Sequence, residues 1–152
     1  MKQRGFTMAE LITVVGIIAV LSAVALPMVR FAYRRDKERD LQYRLHRITD
    51  AIDRYSNYRT RNLLKDPPAL KAGDYPKDLD TLTKAVELLD GKKIVLLRER
   101  DLIDPMTGKA DFRTISSSDD KDSASTNGDN VYDVRSTSTA LALDGHTHYN
   151  EW

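Results

Sequence analysis

The 152-residue chain has no cysteine, so no disulfide can stabilise it in any compartment. It has little net charge, because 24 basic and 23 acidic residues leave a formal +1, which argues against a strongly basic nucleic-acid-binding protein. It also lacks a Gly-x-Ser-x-Gly motif, a phosphate loop and a spaced His/carboxylate cluster, so no enzymatic activity is predicted. The one long stretch without charge runs from Leu11 to Val29. As a helix it would span about 28 Å, close to the hydrocarbon thickness of a bilayer.

Basic residues lie on both sides of this apolar segment, with Lys2 and Arg4 before it and several arginines after it. A secretory signal peptide is disfavoured because the apolar run is too long and a charged residue interrupts its start. A plain N-terminal membrane anchor remains as an alternative. Counting basic residues alone does not settle the orientation of the segment.

Glu10 distinguishes the segment from a plain anchor. A carboxylate at this depth is costly, so it is interpreted as a functional residue that needs a partner. A cut after Gly5, the only nearby glycine, would remove both early basic residues and leave the Phe6 amine as the nearest cation. Phe6 and Glu10 would then stand four residues apart, on one face of a helix.

Residues 5 to 30 resemble the N-terminus of type IV prepilins and pseudopilins. The shared pattern is a short basic leader ending in Gly, then Phe-Thr-x-x-Glu-Leu, and an apolar stretch with Pro27 near its end. The resemblance implies that a prepilin peptidase cuts between Gly5 and Phe6 and methylates the Phe6 amine. It further implies that Glu10 pairs with the amine of a neighbouring subunit during filament assembly.

Two residues are predicted to weaken the apolar helix. Pro27 has no amide hydrogen to bond to the carbonyl of Ala23, and Gly16 is a poor helix former. The resemblance implies that the helix loses regular hydrogen bonds upstream of Pro27 inside a filament. A simple kink in a membrane helix is the alternative.

Downstream of Pro27, apolar residues recur at spacings of four, three, four and three, which predicts one amphipathic helix from about residue 6 to about residue 60. They are Leu41, Leu45, Ile48, Ile52 and Tyr55. A second helix is predicted from Tyr75-Pro76 to about Asp90, with Gly91 as its stop. Strands are predicted at residues 111–116 and 131–136, separated by a Ser-rich loop at 116–128 whose polar composition predicts mobility.

The later segments "DYPKDLDTL", "LIDPMTGKADF", "YDVRSTS" and "LDGHTHYNEW" resemble the major pseudopilin of type II secretion systems. That resemblance implies a calcium ion in the loop before the C-terminus. The residues in the matching stretch are Asp133, Ser136, Ser138 and Asp144, although hydroxyls stand where further carboxylates are usual. The alternative is that Asp144 is a solvated turn aspartate. His146 and His148 would share a face on a strand, as a zinc or copper site or simply as an exposed pair.

The sequence and the resemblance together predict an α+β, type IV pilin-like fold, in which a long N-terminal helix packs on a small head with a short helix and a small antiparallel sheet. The predicted divisions are a leader (1–5), an apolar helix half (6–29), an amphipathic helix half (30–60) and the head (61–152). The expected function is a filament subunit of a type II secretion pseudopilus. The alternatives are a pilin of an extended surface fibre, or a membrane-anchored periplasmic module that binds a metal or another ligand.

The expected partners are other copies of the chain, a prepilin peptidase, an inner-membrane assembly platform, minor pseudopilins and the membrane before assembly. No nucleic-acid partner is predicted. The expected location is the inner membrane, as a single-pass subunit with the leader cytoplasmic and the head periplasmic, and then a filament in the periplasm or at the cell surface.

Overall fold

The computed structural model describes residues 5–65, 73–119 and 128–152. Residues 1–4 of the predicted leader, the Pro67-Pro68 loop and residues 120–127 of the Ser-rich loop lie outside the described residues, and so does the prediction that this loop is mobile. The chain divides into two compact units, Met1–Asp36 and Lys37–Trp152. Its α+β composition agrees with the predicted fold class.

The N-terminal helix, α1, runs from Met8 to Thr60, with Pro27 inside it. The single helix predicted from about residue 6 to about residue 60 is therefore confirmed, with a start two residues later. Its start is set by Thr7, whose carbonyl accepts a hydrogen bond from the Leu11 amide at 3.1 Å. Phe6 precedes the helix in this uncut chain, so the helical four-residue relation to Glu10 is not formed there.

The C-terminal half of α1 supplies the core of the second unit. Four of the five predicted stripe residues are at most 1% exposed, and Leu45 is partly buried against them. Residues from both later described segments, 73–119 and 128–152, complete this core, among them Leu82, Leu97, Val134 and Tyr149. The stripe is thus a head-core surface, as predicted, rather than a coiled-coil seam.

The predicted second helix is too long. Helix α2 covers only Asp80–Thr83, and Lys84 is already extended. Strand β1 (Val86–Glu87) then pairs antiparallel with β2 (Lys93–Ile94). Gly91 has φ +79° and lies in the hairpin turn instead of ending a helix. The physical reason is that an Asp-Gly pair between short apolar segments favours a tight hairpin, a signal that the helical interpretation missed.

The two other predicted strands are confirmed in their central residues. Strands β3 (Arg113–Ile115) and β4 (Asp133–Arg135) pair antiparallel, with Thr114 opposite Val134. The head therefore contains two separate two-stranded sheets among its described residues, where one small sheet was predicted.

Asn130 closes the base of the Ser-rich loop next to this second sheet. Its side chain is 1% exposed, and its Oδ1 accepts hydrogen bonds from the Ser116 hydroxyl at 2.9 Å and the Ser117 amide at 3.0 Å. Its Nδ2 donates to the Ser117 hydroxyl at 2.9 Å. These three bonds satisfy the buried amide and hold the two ends of the loop together.

Candidate assembly segment and C-terminal loop

The first turn of α1 is organised by Thr7. Its hydroxyl accepts a hydrogen bond from the Glu10 amide at 3.2 Å, which satisfies one of the free amides at the helix start. Thr7 and Glu10 have the Thr-x-x-Glu spacing of a capping box, a local signal that the sequence interpretation did not use. Glu10 also lies where the helix dipole favours a negative charge. Local helix chemistry thus accounts for part of the placement of Glu10.

The rest of the first unit has no cover within its own chain. Every residue from 5 to 36 whose exposure is described is exposed, including Glu10 and the apolar residues. Phe6 is 81% exposed, and Leu21 is 64% exposed. Within the described residues, α1 is the one helix long and apolar enough to cross a membrane. Such a surface is stable in lipid or against other apolar helices, and not in water.

Gly16 and Pro27, the predicted weak points, both lie inside α1. A Cβ built at Gly16 meets no atom within 4 Å, so nothing within the chain requires a glycine there. Pro27 leaves the carbonyl one turn earlier without its usual amide donor. Neither residue contributes to the packing of the isolated chain, and their assembly roles stay predictions.

Two comparisons bear on this segment. Residues 1–26 match the family model for the prokaryotic N-terminal methylation motif. The chain is also 42% identical over 59 residues to Prepilin peptidase-dependent protein D of Escherichia coli (strain K12). That alignment covers 39% of this chain and 34% of that protein, so the match spans about a third of the relative's length. No solved structure matches the chain.

The family match shows that the chain carries a prokaryotic N-terminal methylation motif at the start of its apolar helix. Together with the likeness to Prepilin peptidase-dependent protein D, it supports membership of the type IV pilin and pseudopilin superfamily. The apolar helix and the motif are consistent with a membrane-anchored subunit.

Asp144 is committed to its own turn. Its Oδ1 accepts hydrogen bonds from the amides of His146 at 2.9 Å and Thr147 at 3.0 Å. Its Oδ2 accepts one from the Thr147 hydroxyl. These bonds to the charged form, led by the Thr147 hydroxyl, lower the pKa of Asp144 from 3.8 to about 2. The structure thus displays Asp144 as an exposed turn aspartate.

The other predicted calcium ligands have partners of their own. The Ser136 hydroxyl donates to the buried carboxylate of Asp104 at 2.6 Å and accepts a bond from the Ser138 amide at 3.0 Å. Asp133 accepts a bond from the amide of Val134. Among the described residues no three His, Cys, Asp or Glu side chains form a group suited to a metal. The predicted donors are thus hydrogen-bonded within the chain, and the calcium site stays a prediction.

The two predicted histidine ligands lie at the C-terminal loop without a strand joining them. His148 forms an isolated bridge with Leu141, and its Nδ1 lies 2.7 Å from the Thr139 carbonyl oxygen. His146 lies in the turn closed by Asp144. Since residues 143–146 form a turn, the strand geometry that would place both rings on one face is not present.

Two carboxylates that the sequence analysis passed over hold the head together. Asp104 is fully buried and accepts bonds from the Ser136 hydroxyl and the Met106 amide, which ties its Asp-Pro turn to the end of β4. Glu38 accepts bonds from the Leu143 amide at 2.7 Å and the Tyr149 hydroxyl at 2.8 Å. The first of these residues lies in the segment "LIDPMTGKADF", where the Asp-Pro pair is a local turn signal. No local pattern marks the second, because its partners lie 105 and 111 positions away.

Proposed function

We propose that this chain is a structural subunit that is cut between Gly5 and Phe6 and polymerises through its N-terminal helix into a type II secretion pseudopilus. One observation carries the proposal. A prepilin-type methylation motif stands at the start of an apolar helical segment, and no other part of the described chain packs against that segment. Before assembly the bilayer covers this surface, and in a filament the apolar helices of neighbouring copies replace the lipid.

Processing creates a positively charged partner for the carboxylate of Glu10. In the uncut chain the backbone amide of Glu10 donates a hydrogen bond to the Thr7 hydroxyl. Cleavage leaves Phe6 with a methylated amine that carries a positive charge. In an apolar filament core an isolated carboxylate is costly, so the Glu10 of one subunit pairs with the Phe6 amine of its neighbour. The pair fixes the axial stagger between subunits.

The proposed route begins in the inner membrane, with the leader on the cytoplasmic side and the head in the periplasm. A prepilin peptidase removes the leader, and an inner-membrane assembly platform with minor pseudopilins receives the mature subunit. An ATP-driven machine supplies the work of extraction. The relative's name, Prepilin peptidase-dependent protein D, agrees with the first of these partners.

Intact-mass measurement on the protein expressed with a prepilin peptidase tests the processing step. The expected mature chain begins at Phe6 and carries one added methyl. Gly5→Val is the matched block, because a Cβ at Gly5 meets nothing within 4 Å and leaves the fold intact. An uncut wild-type chain would contradict the proposal and favour a membrane-anchored periplasmic module.

Substitution of Glu10 tests the assembly step. Glu10→Gln should be processed and enter the membrane normally, yet form few filaments in an assembly assay read by shearing and electron microscopy. Glu99→Gln, an exposed glutamate of the head, is the matched control and should assemble normally. Normal filaments from Glu10→Gln would refute the pairing role. Long native surface filaments that contain this chain would assign it instead to a surface pilus.

Calcium binding is a separate prediction for the C-terminal loop. Titration calorimetry with Ca²⁺, and thermal melting with and without chelator, test it on the full chain. Heat release together with a melting shift that Asp144→Asn abolishes would support the site. No heat and no shift would remove calcium from the function of this protein.

A further inference from the structure

The arginines that directly follow the apolar segment are not explained by filament assembly. From Leu11 to Arg35 the only charged residues are Arg30, Arg34 and Arg35. They lie in the unit Met1–Asp36, and all three are exposed. On the proposed orientation they face the periplasm, where the topology rule for membrane proteins disfavours basic residues. Removal of the leader accentuates the asymmetry, because Lys2 and Arg4 leave with it.

The three arginines share one broad side of the helix with two aromatic residues. At about 100° per residue, Arg30 and Arg34 lie about 40° apart, and Arg35 lies about 100° beyond Arg34. Phe31 falls between Arg34 and Arg35, and Tyr33 falls on the other flank of Arg30. These two rings are 57% and 64% exposed. We call residues 30–35 the collar.

The collar lies at the depth of the lipid headgroups. With a rise of about 1.5 Å per residue, it covers the first 9 Å or so beyond Val29. The headgroup region on each side of a bilayer is about 5–8 Å thick. Aromatic rings concentrate at this level, and long arginine side chains reach from the apolar edge into it. A guanidinium group binds phosphate with two parallel hydrogen bonds, which makes it a better phosphate ligand than a point charge.

We propose that the collar is a binding site for anionic phospholipid headgroups of the periplasmic leaflet, which hold the subunit in the membrane until it is extracted into a filament. Charge complementarity favours this occupant, because three arginines without an intervening acid face the layer that contains the lipid phosphates. Binding compensates for the unfavourable placement of basic residues on this side. The inference rests on the membrane stage of the proposed function.

The test uses the full chain in nanodiscs made from equal amounts of phosphatidylglycerol and phosphatidylethanolamine. Mass spectrometry of the lipids retained after partial detergent stripping gives the ratio of the two. Each arginine near an anionic lipid surface strengthens the attraction between protein and surface by about 1 kcal/mol, which is about fivefold in affinity. We therefore expect phosphatidylglycerol to be enriched by about fivefold or more in the retained lipids. The enrichment should fall when salt is raised to about 0.5 M, where charges are screened over a few ångströms.

Three variants make the result specific. Arg30→Gln/Arg34→Gln/Arg35→Gln should bring the lipid ratio close to that of the bulk, whereas the corresponding triple lysine variant, which keeps the charge and loses the paired hydrogen bonds, should keep only part of the enrichment. The matched control removes three exposed arginines of the other unit, by Arg54→Gln/Arg61→Gln/Arg98→Gln, and should retain the wild-type ratio. Circular dichroism checks that all variants keep their helix content.

The outcomes separate the two proposals. A wild-type lipid ratio equal to the bulk, or an equal loss in the control variant, would overturn the collar and leave filament assembly standing. Failure of the wild-type chain to enter the bilayer would overturn the membrane stage of the proposed function, and the collar with it. Enrichment of phosphatidylglycerol that is lost in the triple glutamine variant of the collar and kept in the control variant would establish the lipid site.

Discussion

The contact between Glu38 and the C-terminal loop offers the sharpest test of the head structure. One oxygen of Glu38, Oε1, accepts hydrogen bonds from the Leu143 amide at 2.7 Å and the Tyr149 hydroxyl at 2.8 Å. It thereby joins α1 to a loop more than 100 residues later. Glu38→Ala removes both bonds at once, and we expect it to lower the free energy of unfolding of the head.

The size of the effect follows from the two bonds and their surroundings. A hydrogen bond to a charged group contributes about 1.5–3 kcal/mol. Glu38 is only half-buried, so water replaces part of that contribution, and we take about 1–1.5 kcal/mol for each bond. Tyr149 is 1% exposed, so its hydroxyl is poorly placed to find water instead. The expected loss is about 2–3 kcal/mol, or about 10 °C in Tm for a domain of this size.

Trp152 provides a local signal for the measurement. It is the only tryptophan, and its ring centroid lies 5.3 Å from that of Tyr149 in an edge-to-face arrangement. Thermal melting of the full chain in mild detergent, followed by Trp152 fluorescence and by circular dichroism, should show the loss by both probes. Tyr149→Phe should lose about half as much, because it removes one of the two bonds.

Glu99→Ala is the matched control, since Glu99 is an exposed glutamate of the head, and its Tm should change by less than about 2 °C. If Glu38→Ala melted together with this control, the inferred coupling between α1 and the C-terminal loop would be wrong. An early change confined to fluorescence would show that the loop opens on its own before the head unfolds.

Further predictions concern the loop base, the apolar helix and the C-terminal turn. Asn130→Ala should lower the unfolding free energy by about 2–3 kcal/mol in denaturant titration, because it removes the acceptor of the buried Ser116 hydroxyl and both bonds to Ser117, and an unchanged midpoint would contradict that role. Gly16→Ala should raise the helix content of the isolated chain in detergent, since a methyl group at this position meets no other atom. The same variant should form fewer filaments, and normal filaments would show that glycine is not needed in the assembly. Asp144 contributes stability above its unfolded pKa of 3.8, and this is lost as the pH falls through its folded pKa of about 2. The Tm difference between wild type and Asp144→Asn should therefore be constant above that range and decrease as the pH falls through it, and a difference that is undiminished at about pH 2 would contradict the role of the Thr147 bonds.

The long helix could be predicted because its signals are local and repeated. The apolar run and the stripe from Leu41 to Tyr55 extend over many turns, so each residue supports the same interpretation. The second helix was predicted too long for the opposite reason. Leu79, Leu82 and Val86 fit a helical spacing, but Asp90-Gly91 closes a hairpin, and strand pairing with residues after the turn outweighs a weak local preference.

The candidate sites divide in the same way. The processing residues Gly5 and Phe6 and the assembly residues Glu10 and Gly16 were predicted together because they lie within one short segment, matched by the family model over residues 1–26, and Pro27 directly follows it. The calcium ligands were predicted from their order along the chain. Whether Ser136 and Asp144 face a common point depends on how the chain folds. In the structure Ser136 bonds to Asp104, whereas Asp144 bonds to Thr147 in its own turn.

By itself, the sequence determined that this protein has an N-terminal methylation motif followed by an apolar helix long enough to cross a membrane, since both are local patterns of consecutive residues. Only the tertiary structure decided how the head is closed. Three single polar residues close it through hydrogen bonds to partners in other segments of the chain, and no local pattern predicts those bonds. They are Glu38, Asp104 and Asn130. The segment from Gly5 to Pro27 could therefore be interpreted from its sequence alone, whereas the closure of the head could be described only from its buried hydrogen bonds.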